Sequence, residues 1–143
     1  MISFFPIGII HSPYKEMAPF RPDIEADGKF YLEVFPEYAE GLKDLDRFSH
    51  IIVLFYLDRT KKHHLTAHPP KFNGRKEVGV FASRSPFRKN KIGMNTVELK
   101  KIDGNLIYTS PLDALDNTPL IDIKPYVKDL DCFPQANEGW LND

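Results

Sequence analysis

The sequence predicts a mostly-β fold, a small antiparallel β-barrel with long loops and one or two short helices. Three observations carry this expectation. Six short segments rich in β-branched and aromatic residues are separated by Gly and Pro turns. No helical crossover of useful length lies between them, so the strands must pair antiparallel and close, or nearly close, on themselves. One segment, Ile51 to Leu57, carries no polar group except the Tyr56 hydroxyl, and it is expected to be buried on both faces at the centre of the structure.

In chain order, Phe5 to Ile10 reads as a strand interrupted by Pro6, and Ser12 to Gly28 as a long loop. Phe30 to Phe35 is a second strand. Glu37 to Leu42 makes one or two helical turns, because Pro36 suits a first helical position. Ser49 to Leu57 is the central strand, and Arg59 to Lys76, broken by Pro69-Pro70, is a second long loop of the kind that usually carries function. Glu77 to Ala82 reads as a strand again. Thr96 to Ile102 alternates Val97, Leu99 and Ile102 against Glu98 and Lys100, as a strand with one wet face does. Asp103-Gly104-Asn105 is a hairpin turn, since Gly takes a positive φ at little cost, and Leu106 to Thr109 is the return strand. Asp113 to Tyr126 reads as an acidic, proline-punctuated loop. Val127 to Asp143 has no clear periodicity and is expected to be an irregular tail that wraps the surface or reaches a partner subunit.

The chain has the size of one domain, 1–143, and at 143 residues it can bury roughly two-thirds of the surface its unfolded form exposes. Cys132 is the only cysteine, so no internal disulfide forms. No apolar run approaches the ~20 residues of a membrane span, and MISFFPIGII lacks a basic leader, so a soluble cytoplasmic protein is expected. The net charge of −1 hides an uneven division. Between Arg59 and Lys91 ten Lys or Arg face one acid, a local net of +9, whereas Asp103 to Asp143 carries eight acids and two lysines, a net of −6. A basic face of that kind attracts polyanions, RNA among them; solvated loops whose lysines aid solubility are the other reading.

Several chemistries are disfavoured. Nothing resembles GxGxxG in a strand-helix alternation, so the doubly wound cofactor fold is absent. Ile123-Lys124-Pro125-Tyr126 fails the [DNS]PP[YFW] motif by which methyltransferases of that fold grip adenine. His63, His64 and His68 lie close together, but six Lys or Arg surround them between positions 59 and 76, so a metal cation would be repelled and no metal is expected. No His or basic residue adjoins Cys132 in sequence to lower its pKa, and a cysteine nucleophile is not expected.

Two segments in order, GVFASRSPFRKNKIGMN from Gly79 to Asn95 and DALDNTPLIDIKPY from Asp113 to Tyr126, resemble the signature segments of the TrmO (TsaA-like, YaeB-type) family of tRNA methyltransferases. Ile7 to Glu16 and Leu45 to Thr60 extend the resemblance, which runs from about Phe5 to Tyr126. Where the family usually reads RPNPIG this chain has RKNKIG, so Lys89 and Lys91 replace prolines, loosening the loop and adding charge. Where it usually reads LDGTP this chain has Asn117, which still adopts a positive φ and is expected to keep the turn. Longer relatives also carry a second, C-terminal domain.

The resemblance implies a β-barrel that binds S-adenosylmethionine and methylates the N6 nitrogen of threonylcarbamoyl-adenosine at tRNA position 37. It places Pro19, Phe20, Arg21, Asp58, Arg59, Arg84, Ser85, Met94, Leu115, Asp116, Asn117 and Thr118 at the cofactor. Phe20 and Met94 would pack on adenine, an arginine would hold the carboxylate, and Asp116 would accept from ammonium or ribose. Arg84 and Asp116 paired with each other, pinning two loops, is the alternative. Lys61, Lys62, Arg88, Lys89 and Lys91 are the candidate phosphate contacts, and Phe87 either stacks on an unpaired base or folds back on the core. Asp116, Asp122 and Tyr126 are candidates for a base that takes the N6 proton. Family members are homodimers, and Phe133 and Trp140 are expected to serve an intersubunit role. Two competing readings stand beside these: a methyltransferase of the same fold with another acceptor, and a non-catalytic S-adenosylmethionine- or RNA-binding regulatory module.

Overall fold

The computed structural model describes residues 1–19 and 28–143. The chain forms two compact units, one from Met1–Arg59 and Ile92–Tyr126, the other from Thr60–Lys91 and Val127–Asp143. The first holds β1 (Gly8–His11), β2 (Tyr31–Val34), β3 (His50–Tyr56), β6 (Ile92–Asp103), β7 (Leu106–Thr109) and β8 (Thr118–Pro125). The second holds β4 (Thr66–Ala67), β5 (Val78–Gly79) and a short helix, α1 (Lys128–Asp131).

The six strands of the first unit close antiparallel in the order β1-β2-β7-β6-β3-β8 and back to β1. The expected barrel is therefore present, and closure leaves none of these strands with an open edge. Its interior is filled by alternate residues: Ile10, Leu32, Ile51, Val53, Phe55, Val97, Ile107 and Leu120 are all essentially inaccessible. The sequence of β6 also encodes its irregularity. Val97 and Leu99 are two apart but Ile102 follows three later, and the register accordingly slips between Leu99 and Lys101, so that a bulge returns Ile102 to the inner face.

Two glycines permit the tight closure. A Cβ on Gly8 would sit 2.1 Å from the Glu33 carbonyl oxygen, and one on Gly93 would sit 2.3 Å from the Phe55 ring. Both positions therefore admit only hydrogen without a shift of their neighbours. Gly104 turns the β6–β7 hairpin at φ 61°, as the sequence predicts.

Strand ends shift from the sequence reading, β1 beginning at Gly8 rather than Phe5 and β6 at Ile92 rather than Thr96, and four larger departures stand beside these. The largest is β8: the stretch read as the end of a loop is the strand that closes the ring. Pro119 and Pro125 mask it. Pro119 is the second residue of the strand and Pro125 the last, where a missing N–H costs least. A bulge skips Ile121, so Phe55 faces Leu120 and Leu54 faces Asp122. Second, β3 is not buried on both faces. Ile51, Val53 and Phe55 point in, while Ile52 and Leu54 are half-buried and Tyr56 is exposed. Third, only Val78–Gly79 of the expected 77–82 strand is a strand, and Val80–Ala82 is one turn of 3-10 helix. Fourth, the tail expected to be irregular carries α1 and a 3-10 turn at Gly139–Asn142, while its packing against its own unit agrees with the surface-wrapping course expected of it. Trp140 packs on Phe72 at 5.8 Å between ring centroids and donates its indole N–H to the Ala82 carbonyl at 2.7 Å. The helical turns expected over Glu37 to Leu42 are present, and they take 3-10 geometry from Pro36 to Leu42.

Candidate functional site

The loops that follow β1 and β3 meet the loop that precedes β8 at one end of the ring. Asp116 is the hub. Its Oδ1 accepts from the Ser12 backbone N–H at 3.0 Å and its Oδ2 from Lys15 Nζ at 2.6 Å, while its own N–H donates to the Tyr14 carbonyl at 2.7 Å. Ser12, buried, donates its hydroxyl to the Ala114 carbonyl at 2.8 Å. Positions about a hundred residues apart in sequence are thus sewn together by four bonds. Burial pushes the Asp116 carboxyl up, but the hydrogen bond from Lys15, the Ser12 N–H and the charges of Lys15 and His11 outweigh it and hold the group below its ordinary value.

His11 extends the cluster. Its Nε2 donates to Glu33 Oε1 at 2.9 Å, its Nδ1 lies 3.8 Å from Asp116 Oδ1, and its ring stacks on Tyr31 at 4.5 Å. On the other side Arg59 donates from Nη2 to Thr118 Oγ1 at 2.9 Å and from Nε to Asp58 Oδ1 at 3.2 Å. The Thr118 hydroxyl donates in turn to the Leu115 carbonyl at 2.6 Å. Asn117 sits at φ 67°, as expected of the residue standing where the family has glycine, and its N–H donates to the Ile10 carbonyl at 2.8 Å. Asp58 and Arg59 on one segment and Leu115, Asp116, Asn117 and Thr118 on another therefore form one cluster, to which the loop after β1 adds Ser12 and Lys15.

Met94 lies on the outer face of β6, opposite Leu54, with Ile92 opposite Tyr56. Tyr56, Ile92 and Met94 are each more than two-fifths exposed, an apolar strip that runs toward the strand end where Asp58 and Arg59 begin. Pro19 is exposed at the edge of the described residues, and Phe20 and Arg21 lie outside them. The three candidate bases are spread out along β8. At about 3.3 Å per residue, Asp122 stands roughly 13 Å and Tyr126 roughly 26 Å along the strand from Thr118. Asp122 points outward, 3.1 Å from Lys124 Nζ, and lines an open cavity of about 560 Å³ with Glu37, Glu40, Asp44 and Phe48, at the opposite end of β8 from Asp116. Tyr126 ties back by its N–H to the His50 carbonyl at 3.0 Å. The three cannot serve one reacting atom together.

The remaining site residues belong to the second unit. There β4 and β5 pair, and the turn after them is held by its own groups. Ser85 Oγ accepts from the Phe87 N–H at 3.1 Å, and Arg88 donates from Nη1 to the Ser83 and Ser85 carbonyls at 3.1 and 3.0 Å. Lys91 reaches the Lys62 and Arg88 carbonyls at 2.6 and 2.9 Å. The expected loosening by Lys91 is thus offset by hydrogen bonds, and Arg88 and Lys91 support the turn as well as charging it. Lys61, Lys62, Arg84 and Lys89 are exposed, Ser85 is half-buried, and Phe87 is exposed against the His64 ring at 5.6 Å, so it does not fold into a core. Sequence reasoning missed His11, Lys15 and Tyr56. Only the HSPYK turn next to the resemblance's opening strand signalled the first two, and nothing local distinguishes Tyr56 from its buried neighbours.

A closed six-stranded antiparallel ring with a charged loop cluster at one end, joined to a basic loop unit, defines a small barrel built to present loops. Residues 9–132 match the tRNA-methyltransferase O N-terminal domain, and the chain belongs to that family. It is 44% identical over 143 residues to a protein of Pyrococcus abyssi named a probable S-adenosyl-L-methionine-binding protein, covering 99% of this chain and 77% of that one. It is 37% identical over 147 residues to the tRNA (adenine(37)-N6)-methyltransferase of Escherichia coli, of which it spans 63%. The crystal structure of TrmO from Pseudomonas aeruginosa superposes with a TM-score of 0.78 at 32% identity, over 98% of this chain and 62% of that chain.

Proposed function

We propose that this chain binds S-adenosylmethionine at the Asp116 end of the ring and methylates the N6 nitrogen of threonylcarbamoyl-adenosine at position 37 of tRNA. The single observation that carries the cofactor half is the joining of Asp58–Arg59 to Leu115–Thr118 through the Arg59–Thr118 hydrogen bond. The names borne by the Pyrococcus and Escherichia relatives support the cofactor and the acceptor, respectively.

The chemistry of the cluster fits the cofactor. Asp116 is an anion at neutral pH and already holds one ammonium, that of the solvent-exposed Lys15 side chain, so it suits the amino group of a methionine moiety. Arg59 donates two hydrogen bonds, to Asp58 and Thr118, from a guanidinium with five N–H donors, which leaves donors for a carboxylate. Tyr56, Ile92 and Met94 offer the exposed apolar surface that an adenine needs. S-adenosylmethionine supplies an activated methyl on a sulfonium. The chain's part is orientation, which by itself supplies roughly 7 to 11 kcal/mol, and Asp116, with a depressed pKa and occupied oxygens, acts as a positioning anion rather than as a general base.

Calorimetric titration with S-adenosylmethionine tests this reading. Arg59→Ala and Asp116→Ala are expected to weaken binding at least tenfold. Arg84→Ala, at a position assigned by resemblance on the second unit, is expected to abolish it. Unchanged affinity in all three overturns the site. Mass spectrometry of tRNA nucleosides after incubation with enzyme and cofactor tests the acceptor.

A further inference from the structure

The second unit contains a side chain that the proposed reaction has not used. Phe81 is 84% exposed, yet it is not on a loose loop. Val80 before it is buried, donating its N–H to the Leu65 carbonyl at 2.9 Å, and Ala82 after it receives the Trp140 indole N–H at 2.7 Å. Ser83 closes the turn from both its N–H and its hydroxyl, each donating to the Val80 carbonyl, at 3.1 and 2.8 Å. Backbone on both sides is thus fixed while the ring stands in water. An aromatic ring left in solvent by a fixed turn forgoes the burial that normally places Phe inside. It is also a platform whose backbone is ordered before anything binds, which leaves only the ring's own rotation to be fixed.

The electrostatics say what the platform suits. Counted over the two units, the ring unit carries nine Lys or Arg and fifteen acids, a net of −6, and the second carries ten and five, a net of +5. Phe81 stands three residues from the exposed Arg84, and exposed Phe87 follows three beyond it. A second copy docking the same face would bring +5 against +5, which disfavours self-association there. A polyanion gains from the same charges, and its unpaired bases offer π-faces.

We propose that Phe81 is a stacking platform for an unpaired base of RNA, with the surrounding cations holding the adjacent phosphates. This rests on the tRNA reading above. The test uses the full chain and two probes, an RNA hairpin with 2-aminopurine in its unpaired loop and a fully paired RNA duplex, titrated at several salt concentrations. Stacking on aromatic side chains contributes about 1–3 kcal/mol per base, so Phe81→Ala is expected to weaken hairpin binding roughly ten- to a hundredfold. Phe81→Trp retains it. Because no charge is removed, the slope of log affinity against log salt stays the same, duplex affinity is unchanged, and the 2-aminopurine quench seen with the wild-type chain is lost. Wild-type protein that fails to bind the hairpin at low salt sinks the RNA reading itself. Wild-type binding with Phe81→Ala indistinguishable from it, or an equal loss on duplex, overturns the platform alone. A change in sedimentation mass in place of RNA affinity assigns the ring to a second copy and likewise overturns it.

Discussion

The loop cluster of the ring unit and the cationic turn of the second unit hold their polar groups in different ways. In the ring, the functional loops are locked by long-range bonds to Asp116 and Thr118, drawn from residues about 60 to 100 positions away. In the second unit, the Ser83–Lys91 turn is held mostly by bonds two to five residues long, Ser85 and Arg88 among them, alongside two longer ones, Lys91 to the Lys62 carbonyl and the His64 N–H to the Phe87 carbonyl. The ring unit is acidic and the second unit basic, and both leave apolar side chains in water, Tyr56, Ile92 and Met94 on the first and Leu65, Phe81 and Phe87 on the second. The difference is one of means: a closed sheet brings distant positions into one hydrogen-bonded cluster, whereas a turn rich in like charges is held largely by its own neighbouring carbonyls and hydroxyls.

Changes that break the first unit should leave the charge behaviour of the second alone, and the converse. The largest expected effect is Gly8→Ala. Its Cβ would meet main-chain oxygen rather than a movable side chain, so a loss of about 3 kcal/mol or more is expected, read as a fall in the urea midpoint.

Asp116→Asn comes next, at about 1 to 2 kcal/mol near neutral pH, because it replaces a charge-assisted acceptor for Ser12 and Lys15. Its sign with pH is fixed. The Asp116 pKa is lower folded than unfolded, so the stabilisation is fully present above the ordinary carboxylate range and is lost as pH falls through that range toward the folded value. The gap between wild type and Asp116→Asn in urea melts should therefore narrow in acid. A gap that widens there would contradict the network.

The smallest change in stability is expected of Lys89→Ala, an exposed residue, within about 0.5 kcal/mol. It should instead lower the salt slope of RNA binding by about 0.7, the single-strand increment for one phosphate contact. Loss of fold stability with an unchanged slope would erase the distinction between the units.

Much of the ring was legible from local pattern. Leu106 to Thr109 was read to the residue and the Gly104 turn and the helical turns after Pro36 were found, whereas Val97, Leu99 and Ile102 were read as plain alternation although their uneven spacing holds a bulge. Asn117's positive φ followed from side-chain chemistry. What escaped had non-local causes. Thr118–Pro125 has two prolines and two charges, and it becomes a strand because β1 and β3 lie on either side of it to accept its pairing. His11 and Lys15 sit in an ordinary-looking turn. They gain significance only from a carboxylate about a hundred positions later.

By itself the sequence determined which segments prefer extended backbone, where the chain turns, and how charge divides along it, since these depend on each residue's own φ/ψ preferences, apolar surface and ionisation. Tertiary structure alone decided that β8 closes the ring, that Asp116 is held as an anion between Ser12 and Lys15, and that Phe81 stands in water on a fixed turn. Those outcomes depend on pairings between distant positions, whose closure entropy is overcome only when the whole sheet forms, so no local window contains them.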